Sequence, residues 1–289
     1  MQTAGTTACV LVENSAAEGL LCEHGLSVYV EHVFAGARTR LLLDFGQSDA
    51  FARNAARLGV DLSQVDVAAL SHAHYDHADG LPFFCAENDH APVYLSAACA
   101  ERCWSTKGGT TSAHYIGPKR GMLEEYRERL VRVPADRVSC IAPGAHLVPH
   151  TTPGLSERGE REGMLLRTGV DEEATWQPDD FAHEMSLVLE LGDGASSPLM
   201  VLNSCSHAGV PAIVGEVRRA FPGRRIAAYV GGLHLVHASD QSIAEVAQTL
   251  EEAGVERIYT GHCTGAHAQE MLAQALPGRL FPLYPGLRI

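Results

Sequence analysis

One short segment restricts the local fold of this chain more than any other, because it holds four possible metal ligands within six positions. The segment ALSHAHYDHADGLPFF at 69–84 contains His72, His74, Asp76 and His77. On a strand, His77 would point away from the other three, and on a helix His72 would lie about 200° from His74. The four side chains can converge only where a strand ends, the chain loops tightly and a helix begins. The apolar VDVAAL before the histidines and the small and acidic residues after them fit that order.

The composition is that of an acidic globular protein. The chain has 289 residues, of which 46% are hydrophobic, and a formal net charge of −13. Nucleic-acid binding requires a basic surface, so this charge argues against a nucleic-acid partner. The first residues lack the basic and apolar regions of a signal peptide, and no run approaches the roughly 18–20 apolar residues of a membrane span. We therefore expect a cytoplasmic protein with no membrane partner.

The eight cysteines are scattered and form no CxxC pair, which argues against a zinc ribbon or a thioredoxin-type site. Cys99 and Cys103, the pair nearest in sequence, have the spacing of successive helical turns, where Cβ atoms lie about 5–6 Å apart. A disulfide requires about 3.5–4.5 Å between its Cβ atoms. The expectation for a cytoplasmic chain of this length is free thiols and no structural disulfide.

The order of the predicted elements repeats, since strands precede helices in both halves of the chain. The first half contains strands TACVLVEN, LSVYVEHVF and TRLLLDFG, then a helix SDAFARNAARLG with Ser48 as N-cap and Gly59 after its C-terminus. The second half contains a strand pair around the turn LGDGAS, then helices and single strands, with Ile243, Val246 and Leu250 on one helix face. Two such halves predict an α/β fold, an αββα sandwich of two mixed β-sheets packed face to face with helices outside.

No internal repeat or long linker divides the chain, and we expect a single domain over 1–289. Residues at about 105–180 are rich in Gly, Pro, Thr and charge, and they are predicted to form an irregular, loop-rich insertion that covers a site. The preceding AACAERCW at 97–104 is predicted to be a short helix.

Three further histidines each follow an apolar strand after a few small or polar residues. His207 follows PLMVLNSCS, His234 follows AAYVGGL and His262 follows RIYTG. Strand ends of a layered sheet lie at one edge, so these side chains can meet the cluster at 72–77 there. Imidazole and carboxylate bind zinc, iron and other divalent metals, and the cluster therefore predicts a metal site. A single histidine is more often structural, and the remaining ones are expected to be structural or exposed: His24, His32, His90, His114, His146, His150, His237 and His267.

The motif SHAHYDHADG resembles the HxHxDH signature of the metallo-β-lactamase superfamily, and TRLLLDFGQS and IYTGHCTG resemble two further motifs of that superfamily. Together with CEHGLSVYVEH, NSCSHAG and GGLHL, they are similar to a narrower branch of metal-dependent hydrolases. Some proteins of this branch are named 7,8-dihydropterin-6-ylmethyl-4-(β-D-ribofuranosyl)aminobenzene 5′-phosphate synthases, transferases of the methanopterin pathway. The resemblance implies an αββα sandwich with a metal site at one edge of its two sheets.

The resemblance also implies which residues bind metal and which support them. Asp44 matches an acid behind the ligands, where a carboxylate accepts the N–H of a ligating imidazole and fixes its orientation. A carboxylate that only completes a turn is the alternative for Asp44. The superfamily's ligand positions for two metal ions fall on His72 and His74 for the first, and on Asp76, His77 and His262 for the second.

The chain departs from the superfamily pattern where a histidine usually opens a hairpin and an aspartate ends its second strand. The second strand ends in NSCSHAG, and Asp193 lies at the wrong end of that strand. His207 is predicted to be the replacement, because it closes an apolar strand among small residues and gives the first metal a third nitrogen. Cys205, whose thiolate could bridge two metals, and His183 stay open as alternative ligands. His234 is predicted to lie at the edge of the site and contact substrate.

A metal ion held by histidine and aspartate lowers the pKa of bound water and polarises a substrate oxygen. We therefore predict a hydrolase that uses a metal-activated water on an ester, lactone, thioester or phosphoester of a small molecule. Asp76 would orient the water or take its proton. The expected cofactor is one or two divalent ions, zinc first, with manganese or iron as alternatives. NSCSHAG lacks the GxSxG frame of a serine nucleophile.

Two alternatives stay open. The narrower resemblance implies a transferase in which the metal binds a diphosphate leaving group. Lys107, Lys119 and Arg120 are then candidates for phosphate contacts, or else solvated loop charges. A non-catalytic metal-binding domain would show the ligand cluster without an accessible cavity. The sequence identifies neither the substrate nor the oligomeric state.

Overall fold

The structure is a computed structural model that describes residues 5–106, 112–169 and 174–289. Lys107, one of the predicted phosphate contacts, lies outside the described residues. The strands are, in chain order, β1 (Thr7–Val12), β2 (Ser27–Phe34), β3 (Ala37–Leu43), β4 (Val67–Ala69), β5 (Val93–Ser96), β6 (Cys103–Ser105), β7 (His114–Tyr115), β8 (Leu130–Val133), β9 (Ser139–Ala142), β10 (Ala145–Pro149), β11 (Met164–Thr168), β12 (Thr175–Pro178), β13 (Met185–Glu190), β14 (Leu199–Leu202), β15 (Ile226–Val230), β16 (Arg257–Thr260) and β17 (Leu280–Pro282). The helices are α1 (Ala50–Leu58), α2 (Tyr75–Ala78), α3 (Leu81–Glu87), α4 (Met122–Glu125), α5 (Leu155–Glu162), α6 (Val210–Ala220), α7 (Asp240–Glu252) and α8 (Ala266–Ala275), with a 3₁₀ turn at Leu62–Gln64.

The two large sheets are mixed. Six strands form the first sheet in the order β1-β2-β3-β4-β5-β8, with antiparallel pairs up to β3 and parallel pairs from β3 onward. Seven strands form the second sheet in the order β17-β16-β15-β14-β13-β10-β9, with parallel pairs from β17 to β14 and antiparallel pairs beyond. A third sheet, β12-β11-β6-β7, has four short antiparallel strands.

Three groups of buried side chains define the layers of the fold. Side chains alternate between the two faces of a strand, so neighbouring residues of β3 belong to different groups. Leu41 belongs to the buried group between the two sheets, together with Leu187 of β13. Leu42 belongs to the group under the outer helices of the first sheet, with Phe51 of α1. Ile243 of α7 belongs to the corresponding group on the second sheet. The predicted αββα arrangement is confirmed.

The helices predicted from long periodic patterns, α1 and α7, are present in the structure. Helix α1 ends at Gly59, whose φ of 73° is left-handed, as predicted. Its N-cap position is held by Asp49 and not by the predicted Ser48, although the Ser48 hydroxyl accepts a hydrogen bond from the Ala50 amide (3.1 Å). The face of α7 that was predicted to be apolar is buried: Ile243, Val246 and Leu250.

Two predictions about the middle of the chain are wrong. Residues 97–104 do not form a helix, because a turn there leads into β6, which pairs with β11. The stretch 105–180 is not irregular, since it supplies β8 to the first sheet and β9 and β10 to the second. Each of these three strands has only four or five residues, too few for a periodic pattern, and β8 and β10 pair with the distant strands β5 and β13. The extent of the domain, 1–289, stays a prediction. Within the described ranges no helix is long and apolar enough to cross a membrane.

Candidate metal centre

The predicted sequence of strand, loop and helix is present around the clustered ligands. After β4 the backbone of His74 is extended (φ −112°, ψ 149°), and α2 begins at Tyr75. Hydrogen bonds to two other segments fix the loop: the Ser71 carbonyl accepts from the Met185 amide (2.8 Å), and the Tyr75 amide donates to the Ile116 carbonyl (3.0 Å). The four ligand side chains of the loop are thereby distributed over two adjacent groups.

The first group joins two histidines of the loop to one from the second half of the chain. Ring nitrogens of His72, His74 and His207 lie within 4.8 Å of one another, and all three residues are buried. His207 therefore has the orientation predicted for it. Nε2 of His72, Nε2 of His74 and both ring nitrogens of His207 have no hydrogen-bond partner among the described residues. Buried polar atoms are almost always paired, and a metal ion fits these nitrogens as their partner.

The second group contains Asp76, His77, Cys205 and His262, whose ligand atoms converge even more closely. Nε2 of His77 lies 3.2 Å from Nε2 of His262 and 3.3 Å from Sγ of Cys205. Sγ of Cys205 lies 3.1 Å from Nε2 of His262, and Oδ2 of Asp76 lies 3.4 Å from each of the two histidine nitrogens. Asp76, His77 and His262 were predicted as ligands of one metal ion, and Cys205, which was left open as an alternative ligand, lies beside them.

Asp44 fixes the proton positions of two imidazoles. Its Oδ1 accepts from the Ser71 amide (2.6 Å), and its Oδ2 accepts from the Ser71 hydroxyl (2.6 Å) and from Nδ1 of His77 (2.8 Å). Because the single hydroxyl proton of Ser71 goes to Asp44, the Ser71 oxygen must accept from Nδ1 of His72 (2.7 Å). Both imidazoles therefore carry a proton on Nδ1, and with a metal ion bound they would direct the lone pair of Nε2 into the candidate site. This contact is the one expected of an acid behind the ligands.

His262 is oriented in the same way by the N-terminal segment. Its Nδ1 donates to Oδ1 of Asn14 (2.9 Å), which leaves the lone pair of Nε2 for the second group. The backbone amide of His262 donates to the carboxylate of Glu13, which is buried. Both partners, Glu13 and Asn14, lie far from His262 in sequence, at 249 and 248 positions.

The donor set of the second group fits a cation. Nε2 of His77, Nε2 of His262, Oδ2 of Asp76 and the thiolate form of Cys205 all present lone pairs to one another. Such atoms repel one another unless a cation or a proton lies between them. Ligands about 2.0–2.3 Å from a tetrahedral zinc ion are about 3.3–3.7 Å from each other, close to the observed separations of 3.1–3.4 Å. The geometry is therefore compatible with a tetrahedral metal ion.

The titration behaviour of the first group agrees with a set of neutral nitrogen ligands. Burial, with the neighbouring imidazoles, holds the pKa of His72 and of His207 well below the ordinary value and lowers the pKa of His74 to about 3. These three imidazoles are neutral at physiological pH, which is the form that binds a metal. Burial alone would also lower the pKa of His77, but the Asp76 and Asp44 carboxylates outweigh it and raise that pKa to about 10. The second group thus attracts positive charge strongly.

His183, left open as an alternative ligand, lies with His74, Cys103 and Asp179 in a further buried group whose ligand atoms could hold a metal ion. Its Nδ1 accepts from the backbone amide of Ala73 (3.0 Å), and its Nε2 donates to Oδ2 of Asp179 (3.1 Å). Both ring nitrogens are therefore engaged. Ala73 lies between His72 and His74, so His183 supports the ligand loop from behind. His183 stays an alternative ligand, and its contacts in this structure position the loop.

Several contacts hold His207 beside His72 and His74. The buried carboxylate of Glu184 accepts from the amides of His207 (2.9 Å) and Ala208 (2.8 Å), and Nε of Arg158 donates to the His207 carbonyl (2.6 Å). The ring of Phe181 stacks on the imidazole of His207, with ring centroids 5.5 Å apart. These hydrogen bonds fix the amide and the carbonyl of His207, while both of its ring nitrogens stay available to a metal ion.

Backbone strain is concentrated around the two groups. Asp44, Ser206, His234 and His262 have φ values between 49° and 59°, in the left-handed region that non-glycine residues rarely adopt. Residues are held in such conformations mainly at functional sites, where the surrounding contacts stabilise them. Three of the four, Asp44, His234 and His262, are among the predicted site residues.

A cavity of about 440 Å³ opens onto the two groups. His234 lies on its wall, as predicted for a residue at the edge of the site: its ring is 4.3 Å from that of His207, and its Nε2 is 3.2 Å from Oε2 of Glu162. Burial would lower the pKa of His234, but Cys263 and Glu162 raise it to about 9. His234 therefore carries a positive charge at neutral pH. The ligand residues that line the cavity are His74, Asp76, Cys205, His207 and His262.

Sequence reasoning missed several residues at this site. His24, His114 and His237 were expected to be structural or exposed, and all three line the cavity. Asn14 and Glu184 were not considered at all. No local pattern identifies them, because their contacts are made across the fold: Asn14 and His262 are separated by 248 positions. The eight cysteines are free thiols, and Sγ of Cys263 lies 3.7 Å from Sγ of Cys205.

Known proteins with similar sequences and structures share these features of the fold. A profile described as the metallo-beta-lactamase superfamily matches residues 22–262. A 7,8-dihydropterin-6-methyl-4-(beta-D-ribofuranosyl)-aminobenzene-5'-phosphate synthase of Methanocaldococcus jannaschii is 26% identical over 87% of this chain and 84% of its own length.

Solved structures agree. A metal-dependent hydrolase of the beta-lactamase superfamily is 26% identical and covers 98% of both chains with a TM-score of 0.79. A diphosphatase of the PhnP family is 14% identical, with a TM-score of 0.52 over 98% of this chain and 97% of its own, and shares the fold alone. Since the superfamily profile spans most of the sequence and includes both ligand groups, the chain belongs to the metallo-beta-lactamase superfamily.

Proposed function

We propose that this protein is a metal-dependent hydrolase that uses a metal-activated water on an ester, lactone, thioester or phosphoester of a small molecule. One observation carries the proposal: two adjacent groups of converging ligand atoms open onto a cavity of about 440 Å³. Structural metal sites have all their ligands supplied by the protein, whereas catalytic sites keep a position for water or substrate. A ligand cluster at the base of an accessible cavity supports catalysis and opposes the reading as a non-catalytic metal-binding domain.

The residues divide between two metal ions according to the geometry. His72, His74 and His207 would hold the first ion with three neutral nitrogens. The second ion would be held by four ligands, Asp76, His77, Cys205 and His262. A set of imidazoles, one carboxylate and one thiolate favours zinc, and iron is the alternative that tolerates the same ligands. Manganese prefers oxygen ligands and fits this set less well.

When bound, divalent ions at these positions supply a lowered pKa for a coordinated water and a Lewis acid for a substrate oxygen. The chain's own residues orient the reactants. Asp76 presents a carboxylate toward the cavity and can accept a hydrogen bond from the attacking water. His234, positively charged at the cavity wall, can donate to an oxygen that becomes negative in the transition state. Hydrolysis by an attacking water needs no serine or cysteine nucleophile.

The walls of the cavity indicate the size and character of the substrate. Ile116, Met164 and Val236 contribute apolar surface, and Tyr75 contributes an aromatic ring. A volume of about 440 Å³ is in the range of small-molecule sites. The similar hydrolase structure supports hydrolysis, although its name gives no substrate.

A transferase is the second candidate function, and one observation favours it. Lys119 and Arg120 line a neighbouring cavity of about 610 Å³ that shares Tyr75, His114 and Ile116 with the cavity at the ligand groups. Basic side chains there could bind the phosphate of a larger substrate, as the name of the synthase relative implies for that protein. Arg120 also lies over the ring of Tyr115 at 4.1 Å, which is a structural role that needs no phosphate.

Metal analysis followed by activity screening tests the proposed function. Purified protein should contain up to two equivalents of a divalent metal and should hydrolyse at least one phosphoester, lactone or thioester when zinc, manganese or iron is added. His72→Ala and His74→Ala should lose metal and activity but remain folded, and His90→Ala, at an exposed loop position, should behave as wild type. Wild-type protein that binds no metal would contradict the proposal. Diphosphate release that depends on an added amine, without hydrolysis, would favour the transferase.

A further inference from the structure

His24 lies at the mouth of the metal-site cavity, in the turn that precedes β2. Its side chain is about half exposed, at 52%, and its Nε2 lies 3.3 Å from Oδ2 of Asp76. Its ring stacks on the ring of His262, with centroids 5.0 Å apart and planes inclined by 30°. His24 therefore contacts two candidate ligands of the second group without belonging to that group.

Asn14 determines which nitrogen of His24 carries the proton. The Asn14 amide oxygen accepts from the backbone amide of Gly25 (3.2 Å) and from Nδ1 of His262 (2.9 Å), so its NH₂ group must point the other way. That NH₂ donates to Nδ1 of His24 (3.1 Å). With Nδ1 acting as acceptor, the neutral imidazole of His24 carries its proton on Nε2. Nε2 lies 3.3 Å from Oδ2 of Asp76, so this N–H is the polar group of His24 nearest to the carboxylate.

The position of this proton distinguishes His24 from the other imidazoles near Asp76. The Nε2 atoms of His77 and His262 lie 3.4 Å from the same oxygen, and with a metal ion bound they would give it their lone pairs and keep their protons on Nδ1. In that metal-bound form, His24 would be the one of these three neighbours of Oδ2 with an N–H left to donate. A carboxylate bound to a metal is usually held by such a donor, which limits its rotation.

The turn is built to bring His24 close to this loop. A Cβ atom at Gly25 would lie 2.5 Å from the carbonyl oxygen of Asp76 and 3.3 Å from Cα of Gly46. No larger residue fits at Gly25 without moving the backbone of the ligand loop. The close approach of the two segments thus depends on glycine, and it places the imidazole of the preceding residue at the carboxylate.

We propose that His24 is a positioning residue that holds Asp76 in the orientation required to bind the second metal ion. The proposal rests on the proposed metal centre and goes beyond it by assigning a residue outside both ligand groups. His24 acts through the donated Nε2–H, and its stacking on His262 closes the outer side of the group. Loss of the hydrogen bond frees the carboxylate to rotate, which weakens the second site selectively. Loss of such supporting contacts typically costs about 10–100-fold in metal affinity.

Two substitutions separate the hydrogen bond from the stacking. His24→Phe keeps an aromatic ring over His262 but has no N–H group. His24→Gln places an amide N–H near the position of Nε2 but has no ring. If the hydrogen bond is what positions Asp76, the phenylalanine variant should be impaired, and the glutamine variant should bind metal nearly as wild type does. His267→Ala, at an exposed position of α8, serves as a matched control.

Titration of the metal-free protein with Co²⁺ reports on the second site separately. A thiolate ligand gives cobalt an intense near-ultraviolet charge-transfer absorption, and Cys205 is a ligand of the second group alone. We expect this absorption in the His24→Phe variant to require about 10–100 times more Co²⁺ than in wild type. The affinity of the first group for its Co²⁺ ion should be unchanged. Thermal unfolding of each metal-free variant establishes that it is folded.

The outcomes are distinct. An unchanged cobalt affinity in His24→Phe overturns the proposal while leaving the metal centre intact. Impaired binding in His24→Gln with normal binding in His24→Phe also overturns it, since the stacking would then be the cause. Equal weakening of both equivalents would mean a general structural defect and contradicts a selective role. Wild-type protein that shows no thiolate absorption refutes both this proposal and the assignment of Cys205 in the proposed function.

Discussion

Replacement of Asp44 by asparagine tests whether the carboxylate behind the ligands determines the protonation of two imidazoles. Asp44 is fully buried and accepts three hydrogen bonds, two from Ser71 and one from Nδ1 of His77. Asparagine supplies one oxygen instead of two. In one orientation its NH₂ group faces the Ser71 amide, and in the other it faces Nδ1 of His77. In each orientation the asparagine NH₂ group meets another N–H donor, and that hydrogen bond is lost.

The size of the effect follows from this count. A buried donor left without an acceptor costs about 1–3 kcal/mol, and a lost hydrogen bond to a charged group about 1.5–3 kcal/mol. Since Asp44→Asn removes one acceptor site and the negative charge but keeps the shape, we expect a loss of about 2–4 kcal/mol in the free energy of unfolding of the metal-free protein. His77 can also shift its proton to Nε2, which removes its lone pair from the second group. Affinity for the second metal should then fall about 10–100-fold.

Urea unfolding of the metal-free protein and titration with Co²⁺ measure the two effects independently. Asp89→Asn, at a fully exposed aspartate, is the matched control and should leave both quantities unchanged. Unaltered stability together with unaltered cobalt affinity in Asp44→Asn would refute the hydrogen-bond network that links Asp44 to His77. A loss of stability without a change in affinity would mean that Asp44 only completes a turn.

Three further predictions follow from other contacts. His207→Ala should lose one metal equivalent, whereas His183→Ala should keep both and instead unfold about 2–4 kcal/mol more easily, because it leaves buried partners unpaired; metal analysis and urea unfolding distinguish the two. Cys205→Ser should abolish the thiolate absorption of the cobalt form while the first equivalent still binds; a persisting band would contradict the ligand assignment. Burial would raise the pKa of Glu216, but hydrogen bonds from His150 and Thr152 lower it overall, so the stability it contributes is present above its unfolded pKa of about 4.3 and is lost as the pH falls through the lower folded value. Glu216→Gln should cost about 2–4 kcal/mol at pH 7, with a difference from wild type that shrinks below pH 4 in urea unfolding.

The sequence predicts those parts of the fold that depend on local pattern. The segment from His72 to His77 is compatible with one backbone path, and the structure contains that strand, loop and helix. Helix α7 is long enough for its apolar face to be identified, and its predicted residues are buried. The short strands β8, β9 and β10 could not be identified, because four or five residues carry no periodic signal; β8 and β10 pair with distant strands, and β9 pairs with β10.

The candidate site divides in the same way. His207 was predicted to turn toward His72 and His74 because it follows a strand, and the structure places it there. The engagement of His183 by the Ala73 amide and by Asp179 could not be predicted, since Ala73 lies 110 positions away. His24 was missed for the same reason: its contact with Asp76 is formed only when two turns meet around Gly25.

Anomalous X-ray scattering at the zinc edge, measured on crystals of the zinc-loaded protein, tests the ligand assignment most directly. The account predicts two peaks. One should lie about 2.0–2.1 Å from nitrogens of His72, His74 and His207, and the other within about 2.0–2.3 Å of ligand atoms of the second group: Asp76, His77, Cys205 and His262. A peak bound by a nitrogen of His183, with His207 turned away from the metal, would contradict the account and restore the usual ligand order of the superfamily.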